Sequence, residues 1–65
     1  MASADKIRLL IAEDNAVYRH ALREILEAHP NLEVVGEATD GEDAILRAEE
    51  LQPAIVLMGH QYAET

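Results

Sequence analysis

Two adjacent carboxylates, Glu13 and Asp14, are the residues of this sequence best suited to chemistry. They directly follow a short apolar run, Ile7–Ala12, which carries a single charge at Arg8. Two neighbouring carboxylates could bind a hard metal ion through oxygen. Asp14 or Asn15 could instead cap a helix, because their side chains accept hydrogen bonds from the first-turn N–H groups. The residues alone favour the helix start, and the metal pair stays as the alternative.

The elements that must position these carboxylates follow from hydrophobic spacing. Ile7–Ala12 and Leu32–Ala38 are predicted strands, and residues 54–58 (AIVLM), which lack any polar side chain, form a third. A strand of that kind is typically buried on both faces of a parallel sheet. The resulting order is strand, helix, strand, helix, strand.

Two amphipathic helices separate the strands. The first is predicted over residues 15–29, with Arg19 and Arg23 on its polar side and Pro30 ending it. Asp40 caps the second, which Pro53 ends. The predicted apolar stripes are Tyr18, Ala21, Leu22, Ile25 and Leu26 in the first helix, and Ala44, Ile45, Ala48 and Leu51 in the second.

This alternation predicts an α/β fold with right-handed crossovers and a parallel sheet. Two helices cover both faces of three strands poorly, so the prediction is half of a doubly wound, flavodoxin-like fold. With 65 residues and no cysteine, the chain has marginal stability and no disulfide to add to it.

Composition excludes several function classes. The net charge is -8, from 13 acids and 5 bases, which argues against nucleic-acid binding. No apolar run approaches the ~20 residues of a membrane span, and the amino-terminal residues do not form a signal peptide. A cytoplasmic protein without membrane contact is expected. An enzyme of the same fold class lacks support, because no activated nucleophile, base or glycine-rich phosphate loop is present.

Several segments together resemble bacterial response-regulator receiver domains. They are residues 9–14 (LLIAED), Tyr18 with Arg19, residues 22–26 (LREIL), Leu32–Ala38 (LEVVGEA), residues 40–44 (DGEDA) and residues 51–58 (LQPAIVLM). The VVGEA-x-DG variant is similar to the NarL/FixJ type, which carries a DNA-binding domain. The resemblance covers residues 6–58 and implies parallel strands in the order 2-1-3.

The resemblance implies a site for phosphoryl transfer. Glu13 and Asp14 match the family's Mg²⁺-binding acids, and the backbone carbonyl of Gln61 matches a third ligand. The family's phosphoacceptor aspartate falls at Gly59, which has no side chain. The resemblance therefore implies a module of two-component signalling whose parent receives phosphate from a histidine kinase and regulates transcription. This chain is expected to be inactive in phosphotransfer and to bind Mg²⁺ weakly or not at all.

The last seven residues, 59–65, depart from the family, so the receiver-like region is predicted over residues 1–58. Skipping one nucleotide after the Met58 codon lets the possible codons of this tail spell Asp-x-x-Met-Pro, the family's continuation. One extra nucleotide in the gene is therefore the first hypothesis for the tail. A designed truncation or a naturally degenerate half-domain are the alternatives.

A half-domain of this kind is expected to associate. The third strand would present an unpaired apolar edge, which invites pairing with another chain. We expect a homodimer or higher oligomer with Ile55, Val56 and Leu57 at or near the interface. The alternative function is a structural half-domain that only self-associates or complements another half.

Overall fold

The computed structural model describes residues 6–59. Their element order is β1 (Ile7–Ala12), α1 (Ala16–Glu27), β2 (Leu32–Ala38), α2 (Gly41–Leu51) and β3 (Ile55–Met58). The predicted bounds of β1 and β2 are confirmed. The predicted tail and Gln61 lie outside the described residues, apart from Gly59.

The three strands form one parallel sheet in the order β2-β1-β3. The α/β fold class and the 2-1-3 order are thereby confirmed. Val35 bulges between Val34, which pairs with Leu9, and Gly36, which pairs with Leu10. The two right-handed crossovers run in opposite directions across the sheet, so α1 and α2 lie on opposite faces.

Side-chain caps fix the start of each helix. The Asn15 side chain accepts hydrogen bonds from the backbone N–H groups of Val17 and Tyr18, at 2.9 and 3.1 Å. The Asp40 side chain accepts from Asp43 N at 2.8 Å. Helix α1 ends at Glu27, two residues before the predicted end at residue 29. Its C-cap Ala28 keeps helical φ and ψ, but His29 N donates to the Leu26 carbonyl at 3.1 Å, a tighter turn than the α-helix, before Pro30.

The core lies on β1. Leu9, Leu10, Ile11 and Ala12 are buried, and they are joined by Val34, Ala38 and Ala44. On the α2 side, the small side chains of Ala12, Ala38 and Ala44 pack together. The helices contact mainly β1 and β2, so β1 is covered on both faces.

Strand β3 departs from the expectation of burial on both faces. It begins at Ile55, and Ile55, Val56 and Met58 are 46%, 38% and 45% exposed. The cause is its position at the sheet edge, where neither helix lies across it. The expected burial of a wholly apolar strand is therefore wrong for the single chain.

The predicted stripe of α1 also needs correction. Tyr18 and Ile25 are 54% and 60% exposed, whereas Arg19 and Arg23, predicted on the polar side, are half-buried. Ile45, predicted in the apolar stripe of α2, is 62% exposed. Both deviations arise because the helices lie over β1 and β2, which turns part of each apolar stripe towards the uncovered β3.

Candidate functional site

The candidate site lies at the carboxyl ends of β1 and β3. Because the two strands are parallel neighbours and Ala12 pairs with Met58, the residues that follow each strand meet at one sheet edge. Gly59 N donates a hydrogen bond to the Ala12 carbonyl at 2.7 Å. This contact brings Gly59, the position at which the resemblance places the phosphoacceptor, beside Glu13.

Glu13 is a buried acid with defined partners. Its side chain is folded into the interior and the residue is 1% exposed. Its Oε2 accepts a hydrogen bond from Asn15 N at 2.9 Å, and its backbone carbonyl accepts from Arg19 Nη1 at 2.8 Å. Its own N–H donates to the Ala38 carbonyl at 3.0 Å. The carboxylate therefore closes the turn between β1 and α1 from inside the protein.

Asp14 lies on the other side of the same turn and is exposed. The two predicted metal ligands thus occupy different environments, one buried and one in solvent. Asn15, the third residue of the turn, is the helix cap, so the helix-start interpretation of this segment holds as well.

Gly59 leaves space that Glu13 fills. A Cβ placed on Gly59 would overlap Glu13 Oε1 and would lie 2.6 Å from Glu13 Cδ. Real Cβ atoms do not approach neighbouring atoms so closely. The Glu13 carboxylate therefore occupies the volume in which a side chain at position 59 would begin.

The described residues do not fit a Mg²⁺ site. Within residues 6–59, no group of three or more His, Asp or Glu side chains converges in a way that could hold a metal ion. Mg²⁺ requires near-octahedral oxygen ligands and usually keeps several waters. A carboxylate buried against Gly59 and a solvent-exposed Asp14 do not supply that arrangement.

An ion-pair network that sequence reasoning did not find joins α1 to β2. Glu37 Oε1 pairs with Arg19 Nε at 3.0 Å, and Glu37 Oε2 pairs with Arg23 Nη1. Arg23 Nε also pairs with Glu27 at 3.0 Å. The hydrogen bond from Arg23 lowers the pKa of Glu37, against the opposing effect of burial, and the bond from Arg19 lowers it further. Arg19 therefore links the candidate site, through the Glu13 carbonyl, to β2.

Two apolar grooves flank β3. The groove on the α1 side is lined by Glu13, Tyr18, Leu22, Leu57, Met58 and Gly59. The groove on the α2 side is lined by Ala44, Ile45, Ala48, Val56 and Met58. The predicted interface residues Ile55, Val56 and Leu57 therefore lie on an edge strand that is accessible from both faces.

Among known proteins, the chain is similar first to protein-glutamate methylesterases/protein-glutamine glutaminases. The chain is 48% identical over 52 residues to protein-glutamate methylesterase/protein-glutamine glutaminase 3 of Syntrophomonas wolfei subsp. wolfei, which covers 80% of this chain and 15% of that protein. It is 47% identical over 57 residues to protein-glutamate methylesterase/protein-glutamine glutaminase 4 of Myxococcus xanthus, covering 88% of this chain and 16% of that protein.

A relative of a different kind matches the same region. The transcriptional regulatory protein LiaR of Bacillus subtilis is 44% identical over 52 residues, covering 80% of this chain and 25% of LiaR. The chain thus spans a quarter or less of the length of these three relatives. No family model matches the chain. No solved structure matches it either. Among residues 6–59, neither helix has the length and apolar character needed to cross a bilayer.

Proposed function

Because this chain belongs to the response-regulator receiver family, we propose that it acts in two-component phosphorelay signalling as a receiver module that lacks phosphotransfer activity. The observation that supports this most directly is the placement of Glu13, the first of the two acids, beside position 59 at the carboxyl edge of a β2-β1-β3 parallel sheet. A glycine stands where the family's mechanism requires a carboxylate nucleophile, and glycine has no group that can attack phosphorus.

The chain is similar to a segment of a methylesterase and to a segment of a transcriptional regulator. This supports a module that these proteins have in common, and not a common enzymatic or regulatory activity. The two kinds of relative have different names, yet each matches this chain over 52 residues, which are 15% of the first and 25% of the second. Neither named activity is carried over to this chain, and we expect no enzymatic activity from it. For a full-length parent protein, the proposal includes a cytoplasmic location, a histidine kinase as phosphodonor and DNA-binding control of transcription as output.

The phosphotransfer part of the proposal has a direct test. The purified chain is incubated with acetyl phosphate and Mg²⁺, and intact-mass spectrometry measures any added phosphoryl group. We expect no acid-labile phosphate, because no carboxylate is available at position 59. A response regulator that accepts phosphate from acetyl phosphate, treated in parallel, is the positive control. Labelling of this chain under the same conditions would contradict the proposal.

Self-association is the second candidate function, and the exposed apolar edge of β3 supports it. Ile55 and Val56 are 46% and 38% exposed on a strand whose outer edge pairs with no other strand among residues 6–59. Such an edge is a template for pairing with another chain. The occupant that this proposal names is a second copy of the chain.

A further inference from the structure

Position 59 and the Glu13 carboxylate compete for one volume at the end of the sheet. Gly59 is buried, and the nearest atoms that its missing Cβ would meet all belong to Glu13. Within residues 6–59 no glycine has a positive φ, so backbone conformation does not require glycine at position 59. The requirement is therefore one of space.

We infer that Glu13 is a structural hydrogen-bond acceptor in this protein rather than a metal ligand, and that Gly59 is the residue that permits this role. The carboxylate folds into the volume above Gly59 and accepts the Asn15 N–H at 2.9 Å, which holds the turn that precedes α1. This inference does not depend on the proposed signalling function, because it concerns a steric and hydrogen-bonding pair within the described residues.

Burial explains why the Glu13 carboxylate needs both the hydrogen bond from Asn15 N and the space left by Gly59. A carboxylate that is 1% exposed is costly unless hydrogen bonds compensate for its lost water. Turning inward gives Glu13 the backbone donor of Asn15. Any side chain at position 59 would displace the carboxylate from this volume and leave Asn15 N without its acceptor. Gly59 and Glu13 should therefore be energetically coupled, as residues in contact generally are.

A double-mutant cycle tests the coupling. The full chain is compared with Gly59→Ala, Glu13→Ala and the double variant, with melting temperatures measured at one protein concentration. Gly59→Ala should lower the melting temperature by roughly 4–24 °C, the range that overpacking produces in a domain of this size. In the Glu13→Ala background, the same Gly59→Ala change should have a much smaller effect, because the two atoms that the new Cβ would overlap, Oε1 and Cδ of Glu13, have been removed.

Two further variants separate this role from others. Gly41→Ala, the matched glycine substitution at the start of α2, should leave the melting temperature unchanged or slightly higher, since alanine is the better helix former. Glu13→Gln keeps the shape and the acceptor oxygen, so it should retain most of the stability that Glu13→Ala loses. Equal losses for Glu13→Gln and Glu13→Ala would overturn the acceptor role.

Folding failure is also informative. If Gly59→Ala fails to fold and the double variant folds, the inference is supported. If Gly59→Ala and the double variant both fail to fold while Glu13→Ala folds, something other than the Glu13 side chain excludes a side chain at position 59. The inference is then wrong.

Metal addition gives an independent readout. Mg²⁺ in large excess should leave the melting temperature of the unmodified chain unchanged, because the buried Glu13 carboxylate is not offered to the ion. A Mg²⁺-dependent increase that disappears in Glu13→Gln would identify Glu13 as a metal ligand and overturn the inference. The Mg²⁺ titration is independent of the test with acetyl phosphate, because a chain can fail to accept phosphate and still bind Mg²⁺.

Discussion

Glu37 is the side chain that connects the two layers on the α1 side of the sheet. Its two carboxylate oxygens accept from different arginines, Arg19 and Arg23, which stand one helical turn apart on α1. Hydrogen bonds to charged groups are stronger than neutral ones, and Glu37 is 29% exposed, which limits screening by water. The pair of bonds orients α1 against β2.

The pKa of Glu37 predicts an acid-dependent stability. The hydrogen bond from Arg23 lowers that pKa below the ordinary value of 4.5, so the folded state binds fewer protons than the unfolded state in this range. The contribution of Glu37 is therefore fully present above about pH 4.5 and is lost as pH falls through its lower folded pKa. Glu37→Gln should cost about 1 kcal/mol of unfolding free energy near neutral pH and much less near pH 3.

Urea denaturation as a function of pH measures this difference. Glu33→Gln is the matched control, because Glu33 is exposed on the same strand, and it should change the unfolding free energy little. A loss of stability in Glu37→Gln that is the same at acid and neutral pH would show that the charge of Glu37 is not what stabilises the fold.

Sequence reasoning anticipated one part of the residue arrangement and missed another. The meeting of Glu13 with position 59 follows from parallel strands that end at one edge, and the resemblance supplied the strand order. The Glu37 network did not follow, because strict alternation along β2 fails at the Val35 bulge. The inward turn of the Glu13 carboxylate also has no sequence signal apart from the glycine itself.

Helix α1 depends strongly on its N-cap residue, Asn15. Its apolar face is only partly covered, since Tyr18 and Ile25 are more than half exposed. The Asn15 side chain satisfies two of the first backbone donors, those of Val17 and Tyr18. A helix of 12 residues is marginal without tertiary contacts, so this cap carries a larger share of its stability.

Asn15→Ala should therefore destabilise the protein by about 1 kcal/mol, within the usual 0.5–2 kcal/mol range for losing such a cap. Asn15→Asp retains an acceptor oxygen and places a negative charge at the helix start, so it should be close to neutral or slightly stabilising. The urea concentration at the midpoint of unfolding measures the stability of both variants. The dependence of the unfolding free energy on urea concentration should not change. Equal losses for the two variants would indicate that the side-chain acceptor is not the source of the effect.

The strand bounds show where sequence patterns suffice for whole elements. Both β1 and β2 match their predicted limits, because turn-forming or capping residues bracket each apolar run. The burial of β3 was not predictable in the same way, because an apolar run is equally compatible with a central strand and an uncovered edge. Its exposure depends on what lies beside it in the folded molecule.

The uncovered β3 determines how the molecule as a whole should behave. Both of its faces open onto apolar grooves, one beside α1 and one beside α2. Each large apolar side chain buried is worth roughly 1.5–3 kcal/mol, and a domain this small has little stability without such burial. A second copy can pair its β3 with the first across a twofold axis, necessarily antiparallel, and this pairing satisfies the unpaired backbone groups of both edges.

Light scattering at micromolar concentration should therefore give at least twice the chain mass of 7.2 kDa. Val56→Lys should abolish folding and association together, because it places a charge on the apolar edge strand that the two copies share. Val17→Lys is the matched control: Val17 is 78% exposed on α1, so the same substitution there should leave the mass unchanged. A folded, cooperatively unfolding monomer of the unmodified chain at that concentration would refute the dimer, since it would show that β1 and its two helices suffice as a core without the cover that a second β3 provides.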